Sequence, residues 1–398
     1  MVKRILVTAT TFPRWKDDTE PKFVYDLSVL LAKKGHKITV LVPHYYKAKV
    51  NEIMGGLRVF RFRYFFPKLE KLCYDGGILP NMKKYTIAKI LPPFLSIAGL
   101  LSTIYRVKKD KIEVIHAHWI LPEGFTAYLV KKVFKVPYVV TVHAGDIFPL
   151  KNKIFRYLAK LTLKNADYCT ANSNYTKSEI CKIWNSKDIK IIPMGVDLKR
   201  FNPNKKRDEL KKELEIKDRF ILSVGRLAEK KGIKYLILAL PIVLKKFPKL
   251  KLVIIGDGPE KEKLMNLVKE VKLEKNILFA NKLINNKLPE YYATADLFVG
   301  PSIVTLSGDT EGLGVVFLEA LASETPVIGS NVGGIPDIIK DGKTGLLVEQ
   351  KNSEKLAETI IYALSNYEES KSLAKNGREY IKARYSWENV SNKFDEIF

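Results

Sequence analysis

The chain has 398 residues, 46% of them hydrophobic and 28% charged, a balance that excludes a disordered or fibrous protein and leaves room for two domains with separate cores. The formal net charge of +25 asks for an anionic partner, but the sequence carries no zinc finger, RNA-binding signature or basic recognition helix, so nucleic acid is set aside. Cys73, Cys169 and Cys181 show neither metal-ligand nor redox spacing and fit a reducing compartment.

At the amino end, Val2 to Val7 reads as a strand and not as a basic-then-apolar export leader, so a cytoplasmic protein is expected. Strand Arg4–Thr10 runs through a loop, Thr11 to Glu20, into an amphipathic helix over Phe23–Lys34. Gly35-His36 ends that helix, and Lys37–Pro43 returns as a strand. This βαβ opening predicts a parallel sheet. Arg58 to Lys71 interleaves arginine and lysine with aromatic residues, a ribbon suited to an anionic membrane surface and to a peripheral place at the inner face of the cell membrane. The competing reading is the solvated lysine surface of a heat-adapted protein, which agrees with Gln350 being the only glutamine. Ile87 to Tyr105 carries one charge, Lys89, and is interrupted by Pro92 and Pro93. Its clean part, Ile90 to Tyr105, is shorter than the roughly 20 residues of a bilayer span, so a buried or membrane-surface helix is expected. Strand Glu113–Ala117, a helix over Phe125–Phe134 and strand Tyr138–His143 follow, then short strands at Ala166–Ala171 and Ile189–Pro193.

After Met194-Gly195-Val196-Asp197 the chain turns polar through Phe201-Asn202-Pro203 and a lysine-rich helix to about Lys217, which marks the linker. A second series starts at Phe220–Val224 and continues through strands Lys251–Ile255, Ile277–Ala280, Asp296–Val299 and Pro326–Gly329. The expected fold is α/β, with two Rossmann-like, doubly wound parallel-sheet domains over residues 1–197 and 198–380. Their strand carboxyl ends would face an interdomain cleft, where such sheets bind ligands.

The most informative stretch is Glu311-Gly-Leu-Gly-Val-Val-Phe-Leu-Glu319. Glu311 precedes a helix whose first N–H groups, near Leu313, Gly314 and Val315, form an anion-binding end. Glu319 falls inside an apolar helical run, where a carboxylate must be paired or hydrogen-bonded. One carboxylate before a phosphate-seeking helix end and one within it suits a sugar nucleotide. A capped core helix with Glu319 paired to a buried Arg or Lys is the structural alternative. Gly225-Arg226 with Lys230-Lys231-Gly232 directly follows a strand, so Arg226 and Lys231 can converge on a diphosphate and improve it as a leaving group; Lys230 reads as solvated. Gly256-Asp-Gly-Pro259 resembles a nucleotide-loop turn without its third glycine. Gly333-Gly334 permits close backbone approach to a ligand, or simply a tight turn.

In the first half, His116-Ala-His118-Trp119 ends one strand and His143-Ala-Gly-Asp146 another. No carboxylate or cysteine cluster completes a metal site there. His118 is the candidate hydrogen-bond partner of a substrate hydroxyl, against the alternative of a satisfied core histidine, and His116 reads as structural.

These pieces together resemble the family 4 retaining glycosyltransferases of the GT-B architecture. The matches are Thr11-Phe12-Pro13, Gly35-His36, the two histidine segments, Pro193-Met-Gly-Val-Asp197, Gly225-Arg226 with Lys231-Gly232, Gly256-Asp-Gly-Pro259, Pro301-Ser302, Glu311 to Ala322 and Gly333-Gly334. Ser386-Trp387-Glu388 opens a last helix, within 381–398, that in the family crosses back to the first domain. The resemblance implies a nucleotide-sugar donor held without metal or other cofactor. Arg226 and Lys231 would hold its diphosphate, Glu319 the ribose hydroxyls, and Glu311 the sugar, with the backbone of Gly312 to Val316 in support and Gly256 beside it. His118 would touch the donor sugar near the acceptor; His143, Asp146 and Trp119 would shape the acceptor side. The implied acceptor is a hydroxyl on a polyprenyl-phosphate-linked carrier or a glycan precursor, bound in the region from Tyr45 to Leu101. A non-catalytic, membrane-peripheral nucleotide-sugar binder is the alternative.

The chain departs from the family pattern at Thr19-Glu20-Pro21-Lys22, which lacks the usual glycines, at Asp337, and at Glu324, which stands where glycine is usual. A glutamate there costs about 1 kcal/mol if φ is positive, so a different helix end is expected.

Overall fold

The computed structural model describes residues 2–16, 18, 20–147, 150, 152–186, 188–280 and 287–398; Thr19 lies outside them. The chain divides into two compact units, Met1–Pro193 with Val390–Phe398, and Met194–Asn389. Residues 194–196 belong to the second unit because they are tied to its last helices: Val196 N–H donates to Tyr385 O at 2.8 Å, and a Cβ on Gly195 would stand 2.5 Å from the Trp387 ring.

The first unit runs β1 (Arg4–Thr8), α1 (Phe23–Lys33), β2 (Lys37–Pro43), β3 (Asn51–Met54), β4 (Leu57–Phe62), α2 (Ile78–Lys84), α3 (Pro92–Lys109), β5 (Val114–His118), α4 (Phe125–Phe134), β6 (Tyr138–Val142), α5 (Lys153–Asn165), β7 (Tyr168–Ala171), α6 (Asn174–Cys181) and β8 (Ile189–Ile191). Its sheet order is β3-β4-β2-β1-β5-β6-β7-β8, parallel except for β3 against β4. Strand order therefore reverses at β1. The central strands are buried on both faces, so they read as continuous apolar runs and not as alternating ones.

Two expectations change in this unit. Arg58 to Phe62 is not an interface ribbon but part of β4, which pairs with β2. Val59 and Arg61 point inward; Arg61 is buried, ion-paired to Glu52 at 2.6 Å and bonded to the carbonyls of Lys49 and Pro13. Arg58 binds Asp110 at 2.8 Å, while Arg63 stays exposed. Pro92 and Pro93 do not interrupt a helix: they start α3, where the missing N–H costs nothing. Among the described residues no helix is long and apolar enough to cross a membrane.

The second unit continues with α7 (Asp208–Glu213), β9 (Phe220–Val224), α8 (Ile233–Lys246), β10 (Lys251–Ile255), α9 (Lys261–Glu270), β11 (Ile277–Ala280), α10 (Leu288–Thr294), β12 (Leu297–Gly300), α11 (Val315–Ala322), β13 (Val327–Ser330), α12 (Ile335–Ile338), β14 (Leu346–Val348), α13 (Ser353–Ser365), α14 (Tyr367–Tyr385) and α15 (Trp387–Asp395). Its six strands lie in the order β11-β10-β9-β12-β13-β14, all parallel. The core packs α8 and α13 against β9, β10 and β12 through residues such as Leu240, Leu252, Val299 and Ile360.

The helix end at Glu324 is the third change. Glu324 does adopt φ +55°, so the left-handed turn forms without glycine. Arg378 holds it: Nη1 reaches the Glu324 carboxylate at 3.2 Å, and Nε donates to Ala322 O. The segment returning to the first unit is shorter than 381–398: α14 stays in the second unit, and only Val390–Phe398 cluster with the first. There Phe394 and Phe398 pack on His116, and His36 binds Asp395 at 2.8 Å.

Candidate active site

In the second unit the carboxyl ends of β9, β10 and β12 converge on the amino end of α11. An open depression of about 320 Å³ is lined there by Gly225, Arg226, Lys231, Ser302 and Val316, among others. Close backbone packing explains the glycines around it. A Cβ on Gly256 would stand 1.9 Å from Gly225 O, and one on Gly232 would stand 2.0 Å from Pro301 O. Gly256 is therefore required by the neighbouring strand end, whatever else it contacts. Gly225, at φ +150°, lies under the aliphatic stem of Lys231, whose Cε would be 3.4 Å from an added Cβ.

Lys231 forms an ion pair with Glu311. Burial raises the Glu311 carboxyl, but Lys231 and Lys230 more than offset this and hold it below its ordinary value, so it is ionised at neutral pH. Lys230 is not merely solvated: it binds Asp309 at 3.1 Å and Thr310 O at 3.3 Å, fastening the loop before Glu311. The paired glycines seat the same loop, since a Cβ on Gly333 would lie 2.0 Å from Glu311 O and one on Gly334 would lie 2.2 Å from Gly312 O. Gly314, in the left-handed region at φ +91°, caps α11. The first helical residue is thus Val315, and the amides without an intrahelical acceptor are those of Val315 and Val316; Leu313 is buried before the helix begins.

Glu319 lies within reach of the Arg200 and Lys231 charges and has a tyrosine as hydrogen-bond partner. Tyr292 donates its hydroxyl to Glu319 Oε2 at 2.8 Å. Burial pushes the Glu319 carboxyl up to about 7, against the lowering effect of Tyr292, Arg200 and Lys231. Tyr292 and Arg200 escaped the sequence reading. Tyr292 sits in the short helix α10, Arg200 in the linker, and nothing local in either segment points to α11. The one signal was Phe201, whose ring meets Tyr292 edge-on at 5.7 Å.

In the first unit the histidine segments meet at the ends of β5 and β6. His118 Nδ1 lies 3.0 Å from His143 Nε2. His118 is fully buried and its Nε2 has no hydrogen-bond partner. Burial drives both rings neutral, His143 to about 3 and His118 well below its ordinary value, so one nitrogen of the contact donates and the other accepts. His116 is a core residue bonded to Thr141 at 2.8 Å. Asp146 is spent on the backbone, accepting from Ile120 N–H at 2.9 Å and His143 N–H at 3.1 Å. It braces the two loops, and burial raises it to about 6. Trp119 has φ +77°, a conformation costly for a bulky side chain, and the rings of Trp119 and Phe23 flank His143.

The profile of the Glycosyl transferases group 1 family matches residues 205–380, and that of Glycosyltransferase Family 4 matches residues 22–200. An uncharacterised glycosyltransferase of Methanocaldococcus jannaschii is 31% identical over 325 residues, covering 80% of this chain and 85% of that protein. The chain belongs to glycosyltransferase family 4. A GDP-mannose-dependent alpha-(1-6)-phosphatidylinositol monomannoside mannosyltransferase of Mycobacterium tuberculosis is 31% identical over 256 residues, 63% of this chain and 66% of that one. The N-acetyl-alpha-D-glucosaminyl L-malate synthase of Bacillus anthracis is 26% identical over 381 residues, 94% and 91% of the two chains. Sucrose-phosphate synthase of Thermosynechococcus elongatus superposes with a TM-score of 0.80 at 23% identity, over 99% of this chain and 98% of that one. Anabaena HepE in complex with UDP-glucose superposes with a TM-score of 0.77 at 18% identity, over 99% of each chain. Both share the GT-B fold with this glycosyltransferase.

Proposed function

We propose that this glycosyltransferase moves a hexose from a nucleoside-diphosphate sugar to a hydroxyl acceptor with retention of anomeric configuration and without a metal ion. The observation that carries the reading is the cluster of Arg226, Lys231, Glu311 and Glu319 around the amino end of α11. Arg226, Lys231 and the Val315 and Val316 amides supply positive charge for a diphosphate. Glu311, kept ionised by Lys231, accepts from sugar hydroxyls, and Glu319 accepts from the ribose. His118 Nε2, neutral and unpartnered, hydrogen-bonds a hydroxyl of the transferred sugar. In the reaction the acceptor oxygen bonds to the anomeric carbon on the face from which the phosphate departs. The leaving phosphate oxygen takes the acceptor's proton, and the two cations stabilise the charge it gains.

A lipid-linked or cell-surface glycan acceptor agrees with the outer face of α3. Phe94, Ile97, Leu101 and Tyr105 are exposed along it and Ile90 just before it, with exposed Lys83, Lys84, Lys89, Lys108 and Lys109 nearby. An apolar stripe flanked by cations suits the surface of an anionic membrane, and this stripe replaces the β4 ribbon in that role. The relative that elongates a phosphatidylinositol mannoside supports the same acceptor class.

The test is incubation with UDP-glucose, UDP-N-acetylglucosamine and GDP-mannose in excess EDTA, with a membrane-lipid extract as acceptor. Release of nucleoside diphosphate and an α-linked product are expected. Binding of the sugar nucleotide with no turnover on any acceptor would favour a non-catalytic binder.

A further inference from the structure

A neutral donor fixes the carboxylate inside α11. The Tyr292 hydroxyl reaches Glu319 Oε2 at 2.8 Å. Among the described residues Oε1 is neither bonded nor sealed from solvent, and Glu319 as a whole is half-buried. The chemistry of the partner matters. A bidentate arginine would occupy both oxygens and compete with a ligand for them, whereas a phenol offers one hydrogen and blocks one lone pair. The carboxylate is thus held in orientation and stays open on one oxygen.

Tyr292 itself has little freedom. It is fully buried in α10. Its ring meets Phe201 edge-on at 5.7 Å and Phe298 at 5.6 Å, and its carbonyl accepts from the Thr325 hydroxyl just beyond the end of α11. A ring locked by packing on two sides places its hydroxyl at one point. Burial, with Glu319 beside it, drives the phenol well above its ordinary value, so it remains a donor at every working pH. Arg200 stacks over the Phe201 ring at 4.8 Å, and its charge, with that of Lys231, acts on the same carboxylate. A side chain needed only for packing beside Phe317, Leu318, Ala320 and Leu321 would be apolar, because a buried carboxylate costs more than it returns unless a ligand uses it.

We propose that Tyr292 is a positioning residue of the donor site: it aims Glu319 Oε1 at the ribose and so sets the preference for nucleotides that carry ribose hydroxyls. The assignment rests on the ribose role given to Glu319 above. Being buried, Tyr292 acts through the carboxylate and not on the nucleotide. Without its hydrogen bond the carboxylate turns among rotamers, and bonds that need both partners fixed are weakened.

The test is isothermal titration calorimetry of the full chain with UDP, GDP, ADP and dTDP, and with the 2′,3′-dideoxy counterpart of the one that binds, from about pH 6 to about pH 8. Tyr292→Phe keeps the ring and removes the hydroxyl. It is expected to bind the parent nucleotide about tenfold more weakly and the dideoxy nucleotide within about twofold of wild type. A merely structural role would weaken both. The ratio of the two affinities cancels the titration of the terminal phosphate, which both nucleotides carry. In wild type that ratio should change around pH 7, following Glu319. Of the groups acting on Glu319, Arg200 and Lys231 are unaltered in the variant, and Tyr292 lowers the carboxyl, so the midpoint should move to higher pH in Tyr292→Phe. Replacing Tyr292 by 3-fluorotyrosine, a stronger donor, should move it to lower pH, and serves if Tyr292→Phe fails to fold. An equal loss with both nucleotides, or an unchanged midpoint in either variant, overturns the proposal, and weak binding by Glu319→Gln then leaves the proposed function standing. Failure of all four nucleotides to bind wild type, or full binding by Glu319→Gln, removes the ribose role of Glu319 and this proposal with it.

Discussion

Lys231 and Glu311 are 80 residues apart in the chain, yet their side chains form an ion pair with 17% and 15% of their surfaces exposed. Neither charge is well solvated, so each depends on the other. Lys231→Met should strand the Glu311 carboxylate and cost about 3 kcal/mol of stability, while Lys231→Met/Glu311→Gln should recover most of that and remain inactive. Chemical denaturation with turnover assays checks this. A double variant no more stable than the single would contradict the coupling.

Glu319 makes donor binding depend on pH. Its carboxyl is raised to about 7, and ribose hydroxyls donate to the ionised form, so binding expels a proton when the pH lies below 7. Affinity for a nucleotide sugar should fall about tenfold from pH 8 to pH 6. The diphosphate diester of the sugar nucleotide does not titrate in that range. Glu319→Gln should bind weakly and flatten the profile, and a wild-type dissociation constant that does not change with pH would refute the role.

Gly334 positions Glu311 through its backbone. Its N–H donates to Glu311 O at 3.0 Å, and an added Cβ would meet Gly312 O at 2.2 Å. Gly334→Ala must push the Glu311 loop outward, and a displacement near 1 Å can cost about a hundredfold in rate. The expected result is that loss in kcat/KM with the protein still folded by circular dichroism.

The buried histidines set the acid limit of the fold. Burial lowers His116 and His143 to about 3, so below their unfolded value of about 6.5 only the unfolded chain takes up their protons. Stability is therefore lost as pH falls, by about 1.4 kcal/mol per unit for each ring. Glu123, Asp146 and Glu319, raised to about 8, 6 and 7, act in the opposite sense only above their ordinary values near 4. The net loss should thus steepen between about pH 4 and pH 3. Urea midpoints across that range should show His116→Phe with a slope shallower by about 1.4 kcal/mol per unit.

Membrane attachment should follow α3 and not β4. Ile97→Ser with Leu101→Ser removes apolar surface worth about 2 kcal/mol or more per side chain and should sharply reduce sedimentation with anionic vesicles. Arg61→Gln should instead destabilise the fold, because Arg61 is inside it.

The strands were legible because parallel strands buried on both faces are short apolar runs bounded by loops: Lys37–Pro43, Phe220–Val224 and Lys251–Ile255 are found where the runs stand. β4 was misread because Arg61 interrupts its inward face, and its counter-ion Glu52 becomes a neighbour only when β3 folds back. The carboxylates on either side of α11 were visible as carboxylates in apolar company. Their partners were not: Tyr292, Arg200 and the seat made by Gly333 and Gly334 reach α11 only through the tertiary fold.

The most direct test of the donor site is a metal-free thermal-shift titration of wild type and Glu319→Ala with UDP, GDP, ADP and dTDP. One nucleotide is expected to raise the melting temperature of the wild type, as ligand binding to the native state must, and the variant to lose the shift. No shift with any of the four, or an equal shift in Glu319→Ala, would contradict the site.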